Sequence, residues 1–388
     1  MTSHGRLAEA KALLTRLIAF ESVSDASNLP LVDFVEGYLR EHKLESRRAP
    51  NGAGDKAAIL ATIGPRVDGG VVLSGHTDVV PVEGQPWSSP PFTLREASGR
   101  LYGRGACDMK GFDACVLAMA PVFRDAGLKR PIHIVLSYDE ETTCLGSLDI
   151  IARFGKDEPL PAAVIVGEPT MMKVADAHKS VATFRTVVTG HEAHSALPAL
   201  GANAVAAAAD VVSEIGRLAR AYEEGPLDPR FTPPYSTLHV GMIRGGTARN
   251  ILARECVFNW EFRGLPGATT ASALMKIQAF VDEVATPRLT RFVSGPSIVT
   301  TIEVDVPPLA ADAGSAAETM ALRLTRSNSA IAVSFATEAG HFQGAGLPTI
   351  VCGPGSIDQA HKPDEFVDEA QLVACLEFLG RLAEDLSR

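Results

Sequence analysis

Two histidines and a set of carboxylates fall at the apparent ends of strands in this chain, and those residue types together can hold metal ions. His76 and Asp78 close the stretch Val-Val-Leu-Ser-Gly-His-Thr-Asp, three apolar residues and a small-residue turn that read as a buried strand. A histidine with a carboxylate two residues on can be a metal ligand and the group that orients it. Asp108 sits in Gly-Arg-Gly-Ala-Cys-Asp-Met-Lys-Gly, a glycine-rich loop that opens a helix. Asp139-Glu140-Glu141 follows a strand at 132–137, and Glu168 ends another at 162–166 in Gly-Glu-Pro-Thr. His361 comes in Asp-Gln-Ala-His-Lys-Pro-Asp-Glu, after a strand at 349–352.

Three adjacent acids repel one another, and alone they would prefer solvent. Gathered at one sheet edge with two histidines, they form a nitrogen and oxygen donor set without sulfur. Such a set suits zinc, cobalt or manganese, and one carboxylate can bridge two ions about 3.5–4 Å apart. The acid left over can act as a base on an activated water. The carboxyl ends of the strands in an open α/β sheet are also where ligands bind. Other chemistries lack their marks: the chain has no phosphate-binding Gly-x-x-x-x-Gly-Lys-Ser/Thr loop, no Gly-x-Gly-x-x-Gly after a strand and no Gly-x-Ser-x-Gly elbow. Cys107 reads as a small buried residue rather than a nucleophile, since no histidine partner is evident.

The elements that must position these groups alternate along the chain. Amphipathic helices are predicted within residues 1–20 and at 30–42, strands at 57–63, 71–74, 132–137 and 162–166, and helices at 109–124 and 145–154. That alternation predicts an α/β domain with a mixed, mostly parallel sheet. From about residue 180 the pattern changes to a half-exposed strand at 181–189, an alanine-rich helix at 202–221, strands at 237–243 and 255–263, and a helix at 270–284. This β-α-β-β-α block reads as an α+β open-faced sandwich inserted into the larger domain, with a face or edge available for dimerisation. The expected division is residues 1–179 and 291–388 for the larger domain and 180–290 for the insertion.

Length and composition agree. At 388 residues the chain is too long for one ordinary core, and 46% hydrophobic with 21% charged residues is globular composition. A net charge of -10 offers no basic stripe for nucleic acid or an anionic membrane. No apolar run reaches the roughly 18 residues of a membrane span. No signal-peptide pattern is evident and no Cys-x-x-Cys pair occurs among the six cysteines, so a cytoplasmic protein with reduced thiols is expected.

At these motifs the chain resembles the di-zinc amidohydrolase and metallopeptidase family that includes acetylornithine deacetylases, succinyl-diaminopimelate desuccinylases, aminoacylases and glutamate carboxypeptidases. The resemblance runs from about Leu7 to the C-terminus and is carried by Ser-Gly-His-Thr-Asp, Gly-Ala-Cys-Asp-Met-Lys-Gly, Asp-Glu-Glu, Gly-Glu-Pro-Thr and Asp-Gln-Ala-His-Lys-Pro-Asp-Glu. It implies a zinc-peptidase-like catalytic domain holding two divalent ions, zinc with cobalt as a substitute. Asp108 would be the shared ligand, with His76 and Glu168 completing one site and Glu141 and His361 the other. Glu140 would be the general base and Asp78 the partner of His76, and the Asp108–Met109 peptide is expected to be cis.

The resemblance also implies that the insertion is a lid and dimerisation domain. His194, in Gly-His-Glu-Ala-His-Ser, would reach the partner subunit's active site, while Asn250 and Arg263 would bind the substrate carboxylate. Where many relatives have proline three residues after that asparagine, this chain has Ala253. Within the family, Gly-Ala-Cys-Asp-Met-Lys-Gly, Thr-Glu-Ala-Gly and Gly-Pro-Gly-Ser-Ile-Asp-Gln-Ala-His are most similar to the acetylornithine deacetylases. The expected reaction is therefore hydrolysis of N2-acetyl-L-ornithine to L-ornithine and acetate in arginine biosynthesis. Succinyl-diaminopimelate or a broader set of N-acyl amino acids is the alternative substrate, and a non-catalytic metal-binding protein the remote one. Glu338, in Thr-Glu-Ala-Gly, is a candidate for holding the substrate's side-chain ammonium.

Overall fold

The structure is a computed structural model that describes residues 3–388. Two compact units emerge. The first takes the chain to Ala177 and resumes over Ala311–Ala332 and Thr337–Arg388, while the second comprises His178–Ala310 and Val333–Ala336.

The first unit is built on an eight-stranded sheet whose central strands, Ile132–Ser137, Gly70–His76, Pro161–Pro169 and Thr349–Gly353, run parallel. Antiparallel neighbours flank these, Ala57–Ile63 beside Ile132–Ser137 on one side and Ala175–His178 beside Thr349–Gly353 on the other, with Arg47–Pro50 and Ile331–Val333 outermost. Every residue of Gly70–His76 and of Ile132–Ser137 is buried. Strands covered on both faces need continuous apolar runs rather than alternation, and that is how these sequences read. Helices Ser3–Ile18, Lys110–Asp125 and Glu369–Leu386 supply much of the covering core through Leu14, Phe112, Phe123, Leu372 and Leu379. Parallel strands share a direction, so His76, Ser137 and the segments after 137, 166 and 353 all reach the same edge of the sheet.

The second unit carries a four-stranded antiparallel sheet in the order Thr237–Gly245, Glu255–Arg263, Val181–Thr189, Ser297–Val306. Here the strands alternate between buried and exposed positions. Phe184, Phe258, Trp260 and Phe262 form the buried face, under the helices Ala204–Glu223 and Thr270–Phe280. The rings of Phe184 and Trp260 stack at 3.8 Å, and the Trp260 indole donates to the Thr186 hydroxyl at 3.0 Å. Asn203 and Thr269 cap the two helices through their side-chain oxygens.

Two expectations need correction. The second unit does not end at 290: Ser297–Val306 pairs with Val181–Thr189 and makes a fourth strand, so the unit extends to Ala310 and includes Val333–Ala336. The helix expected over 145–154 is a 3-10 turn, Leu145–Ser147, followed by a single helical turn, Leu148–Ile151.

Candidate metal centre and active site

His76 ends its strand, and Asp108 ends the glycine-rich loop just before the helix Lys110–Asp125. The two meet at the sheet edge, with His76 Nε2 3.1 Å from Asp108 Oδ1. Glu168, at the end of Pro161–Pro169, brings Oε1 to 3.6 Å from the same imidazole nitrogen. The other oxygen of Asp108, Oδ2, lies 3.4 Å from His361 Nε2, which also contacts Glu141 Oε2 at 2.9 Å. Two ligand groups result, His76/Asp108/Glu168 and Asp108/Glu141/His361, and within each the candidate atoms lie within 4.8 Å of one another. Asp108 belongs to both and turns one oxygen to each. The Asp108–Met109 peptide is cis.

The triple acid is separated by its turn. Asp139 takes a left-handed φ of 57° and pairs outward with Lys56 at 2.5 Å. The backbone N–H groups of Glu140 and Glu141 then donate to the Asp78 carboxylate at 3.1 and 3.2 Å, and the Ser24 hydroxyl adds a third bond at 2.7 Å. The Glu140 side chain is left inside, its Oε2 4.0 Å from His76 Nε2 and its Oε1 receiving the Cys144 thiol at 3.4 Å. His76 Nδ1 is 2.9 Å from the Asp78 carbonyl and 3.5 Å from its carboxylate, so the backbone of Asp78 orients the imidazole more closely than the side chain does.

The site's electrostatics favour a cation. Burial pushes Glu140, Glu141 and Glu168 well above the usual carboxylate range, and the negative neighbours Asp108 and Glu141 add to the effect on Glu140. Hydrogen bonds to Asp108 and Glu141 hold His361 protonated well beyond its ordinary range. For Asp108, burial opposes ionisation, but the two histidines outweigh it and keep the group ionised. Among the described residues no lysine or arginine pairs with Asp108, Glu140, Glu141 or Glu168, and Glu168 Oε1 is buried without a hydrogen-bond partner. Glu140 and Glu168 are buried side chains without a lysine or arginine partner, which is costly, and divalent cations would relieve that cost. The donor set fits them: imidazole and carboxylate without thiolate, in two groups joined by one aspartate.

The sequence profile of peptidase family M20/M25/M40 matches residues 72–385. This chain belongs to that family. The acetylornithine deacetylase of Yersinia pestis is 32% identical to the M20 chain over 372 residues, covering 94% of this chain and 93% of the relative. The M20 metallo-carboxypeptidase Sso-CP2 of Sulfolobus solfataricus shares the fold at a TM-score of 0.77 and 15% identity, over 98% and 99% of the two chains. The Bacillus subtilis protein YXEP, described as a dinuclear metal-binding peptidase of the M20 family, gives a TM-score of 0.65 at 16% identity over 98% of each chain. Membership makes this M20 protein a metal-binding hydrolase of amide bonds.

The remaining expected residues lie in the second unit. His194 is exposed, its Nδ1 accepting from the Ala196 N–H at 3.1 Å. Its segment runs against that of Asn250: the Ser195 N–H donates to the Asn250 carbonyl at 3.0 Å, and His194 and Ile251 form a bridge. Arg263, at the end of its strand, is held by Glu261 through bonds of 2.8 and 3.2 Å.

Glu338 does not face an open subsite. It is 1% exposed, and its two oxygens accept from the hydroxyls of Ser74 and Ser137 at 2.6 and 2.8 Å. It therefore ties together the two strands that deliver His76 and the triple acid. Glu365, Arg104 and Lys110 were not assigned roles from sequence. Glu365 and Arg104 form a fully buried ion pair at 2.7 Å. Lys110 is also buried and donates to the carbonyls of Leu17 and Phe20 at 3.0 and 2.9 Å, while burial pushes it down to about 7. For Arg104 and Lys110 the signal was a charged residue inside the glycine-rich motif.

Proposed function

We propose that this enzyme removes the acetyl group from N2-acetyl-L-ornithine, giving L-ornithine and acetate, in the cytoplasm and as a step of arginine biosynthesis. The observation that carries the hydrolytic reading is Glu140: a buried carboxylate 4.0 Å from His76, beside two ligand groups that share Asp108 and engaged by no lysine or arginine among the described residues. The substrate reading is supported by relatives named acetylornithine deacetylase that match over nearly their whole length, including one from Proteus mirabilis at 33% identity over 381 residues. Six free, buried cysteines suit a reducing compartment.

Two divalent cations, zinc or cobalt, would acidify a water and polarise the amide carbonyl when held by His76, Asp108 and Glu168 and by Asp108, Glu141 and His361. Glu140 takes the proton from that water at a carboxylate oxygen as the oxygen adds to the acyl carbon. It then delivers the proton to the amine nitrogen as the C–N bond breaks, so that neutral amine rather than an amide anion departs. Burial suits Glu140 to both roles, because a carboxyl raised above its ordinary range accepts a proton more readily and can still give it back. Asp78 fixes the turn from which Glu140 projects. In a homodimer formed through the second unit acting as a lid, His194 from the partner subunit would donate to the developing oxyanion. Asn250 and Arg263 would take the substrate carboxylate, Arg263 exchanging its bond with Glu261 for one to substrate.

The test is acetate release from N2-acetyl-L-ornithine by protein stripped of metal and then reloaded with zinc or cobalt. Activity that is lost and restored supports the whole reading. Metal uptake without acetate release, together with hydrolysis of succinyl-diaminopimelate or acetylmethionine, would keep the amidohydrolase and replace the substrate. Metal uptake with no amide hydrolysis at all would favour a binding protein on this scaffold.

A further inference from the structure

His361 and Asp108 both sit on loops, and a loop keeps ligand geometry only where its surroundings hold it. A continuous polar network holds both. Strand Phe366–Asp368 pairs with Arg100–Tyr102, and the Gly103 N–H donates to the Glu365 carbonyl at 2.9 Å, which lays Glu365 along the glycine-rich loop. Glu365 Oε1 accepts from the N–H groups of Cys107 and Asp108 at 2.8 and 3.1 Å. Its Oε2 accepts from the Gly105 N–H at 3.1 Å and from Arg104 Nη1 at 2.7 Å. The other terminal nitrogen of Arg104, Nη2, donates to Gln85 Oε1 at 2.6 Å, and the Trp87 indole donates to the same oxygen at 3.0 Å.

Two donors on one atom fix which way the Gln85 amide points, because only its oxygen can accept. Its nitrogen must then face the other way, where it donates to the His361 carbonyl at 3.0 Å. A second link lies three residues on. Asp364 accepts from the Ser88 N–H and hydroxyl at 2.9 and 2.8 Å, so segment 85–88 is laced to segment 361–364 at two points. His361 needs that support: its side chain is 53% exposed and its φ is 61°, in the left-handed region that non-glycine residues seldom occupy.

We propose that Gln85, held in place by Arg104, is a positioning residue for His361, and that it sets the cation affinity of the Asp108/Glu141/His361 group separately from that of His76/Asp108/Glu168. The proposal rests on the reading that both groups hold divalent cations. The two ends of the network differ in reach. Gln85 touches the backbone of a residue that belongs to one group, whereas Glu365 holds the backbone of Asp108, which belongs to both.

Gln85→Glu isolates the first effect. It keeps an oxygen for Arg104 and Trp87, removes the N–H given to His361 and sets a carboxylate oxygen against that carbonyl. Metal-free full-length protein is titrated with zinc by calorimetry and with cobalt by visible absorption, alongside a melting curve for each variant. Wild type is expected to bind in two resolvable steps. Gln85→Glu is expected to weaken one step about 10–100-fold and to leave the other within about twofold, the range outer partners of metal ligands command. Gln85→Ala is expected to do the same to a smaller degree, and Glu365→Gln to weaken both steps. Two unchanged steps in Gln85→Glu, or two equally weakened ones, would overturn the proposal while leaving the two-cation reading in place. Wild-type protein that takes up fewer than two equivalents would overturn that reading and the proposal with it.

Discussion

The backbone N–H of Glu140 donates to Asp78 Oδ1 at 3.1 Å, so the carboxylate two residues past His76 anchors the turn that carries the proposed base. With the Glu141 N–H on Oδ2 at 3.2 Å, one acid holds two others in place through their backbones. In Asp78→Asn an amide nitrogen replaces one of the accepting oxygens and faces an N–H. The expected result is kcat lowered about 10–100-fold with both metal equivalents retained. Steady-state kinetics and metal analysis on the same preparation check it, and unchanged kcat would remove Asp78 from the machinery.

Glu140→Gln keeps the size of the side chain and removes its basicity. Turnover is expected to fall by at least about 10²–10⁴-fold, while metal content stays at the wild-type level because Glu140 belongs to neither ligand group. Near-native kcat in this variant would move the proton-transfer role elsewhere.

Metal binding is expected to expel protons. His361 is held protonated by Asp108 and Glu141, and burial pushes the Glu168 carboxyl upward, yet ligation needs neutral imidazole and ionised carboxylate. Affinity should therefore rise with pH across the neutral range, about tenfold per pH unit for each proton displaced. Calorimetric titration of stripped protein in two buffers of different ionisation enthalpy measures the proton count. A count of zero would contradict the electrostatics described for the site.

His133 provides a test of stability away from the metal centre. It is fully buried, its Nδ1 lies 3.0 Å from the Thr62 hydroxyl, and that hydroxyl donates to Glu158 at 2.9 Å. Thr62 thus accepts from Nδ1–H, the ring is neutral, and burial pushes it down to about 4. Below the ordinary imidazole value near 6.5 the unfolded chain takes up a proton that the folded one refuses. Stability from this group is therefore complete above that value and lost as pH falls to about 4, by roughly 3 kcal/mol. His133→Asn should flatten the slope of unfolding free energy against pH in that window relative to wild type, whatever it does to stability at pH 7. An unchanged slope in denaturant melts would show that His133 charges freely in the fold.

Much of the candidate site was legible because its residues sit at strand ends, and strand ends are marked by apolar runs that stop at small or charged residues. His76, Glu168 and Asp139-Glu140-Glu141 all follow such runs. The fourth strand of the second unit, Ser297–Val306, was not found, and its structure explains why. A bulge between Ile302 and Val304 breaks the alternation, and Val299 and Ile302 are exposed, so the sequence lacks a clean two-residue period. The buried roles of Glu365 and Glu338 were illegible for a different reason. A buried carboxylate is stabilised by donors far away in sequence, three backbone N–H groups and Arg104 for one and two serine hydroxyls for the other. Nothing at positions 338 or 365 distinguishes them from acids on a solvated loop. Asp78 was read as the partner of the histidine beside it, whereas its carboxylate serves backbone groups more than sixty residues on.

Glu141 and His361 meet across 220 residues, and the whole of the second unit lies in the interval between them. A cation gripped by that pair would be a removable cross-link closing a very long loop, and long loops are the ones whose closure restrains a chain most. Chelation would then cut a tether as well as a reaction.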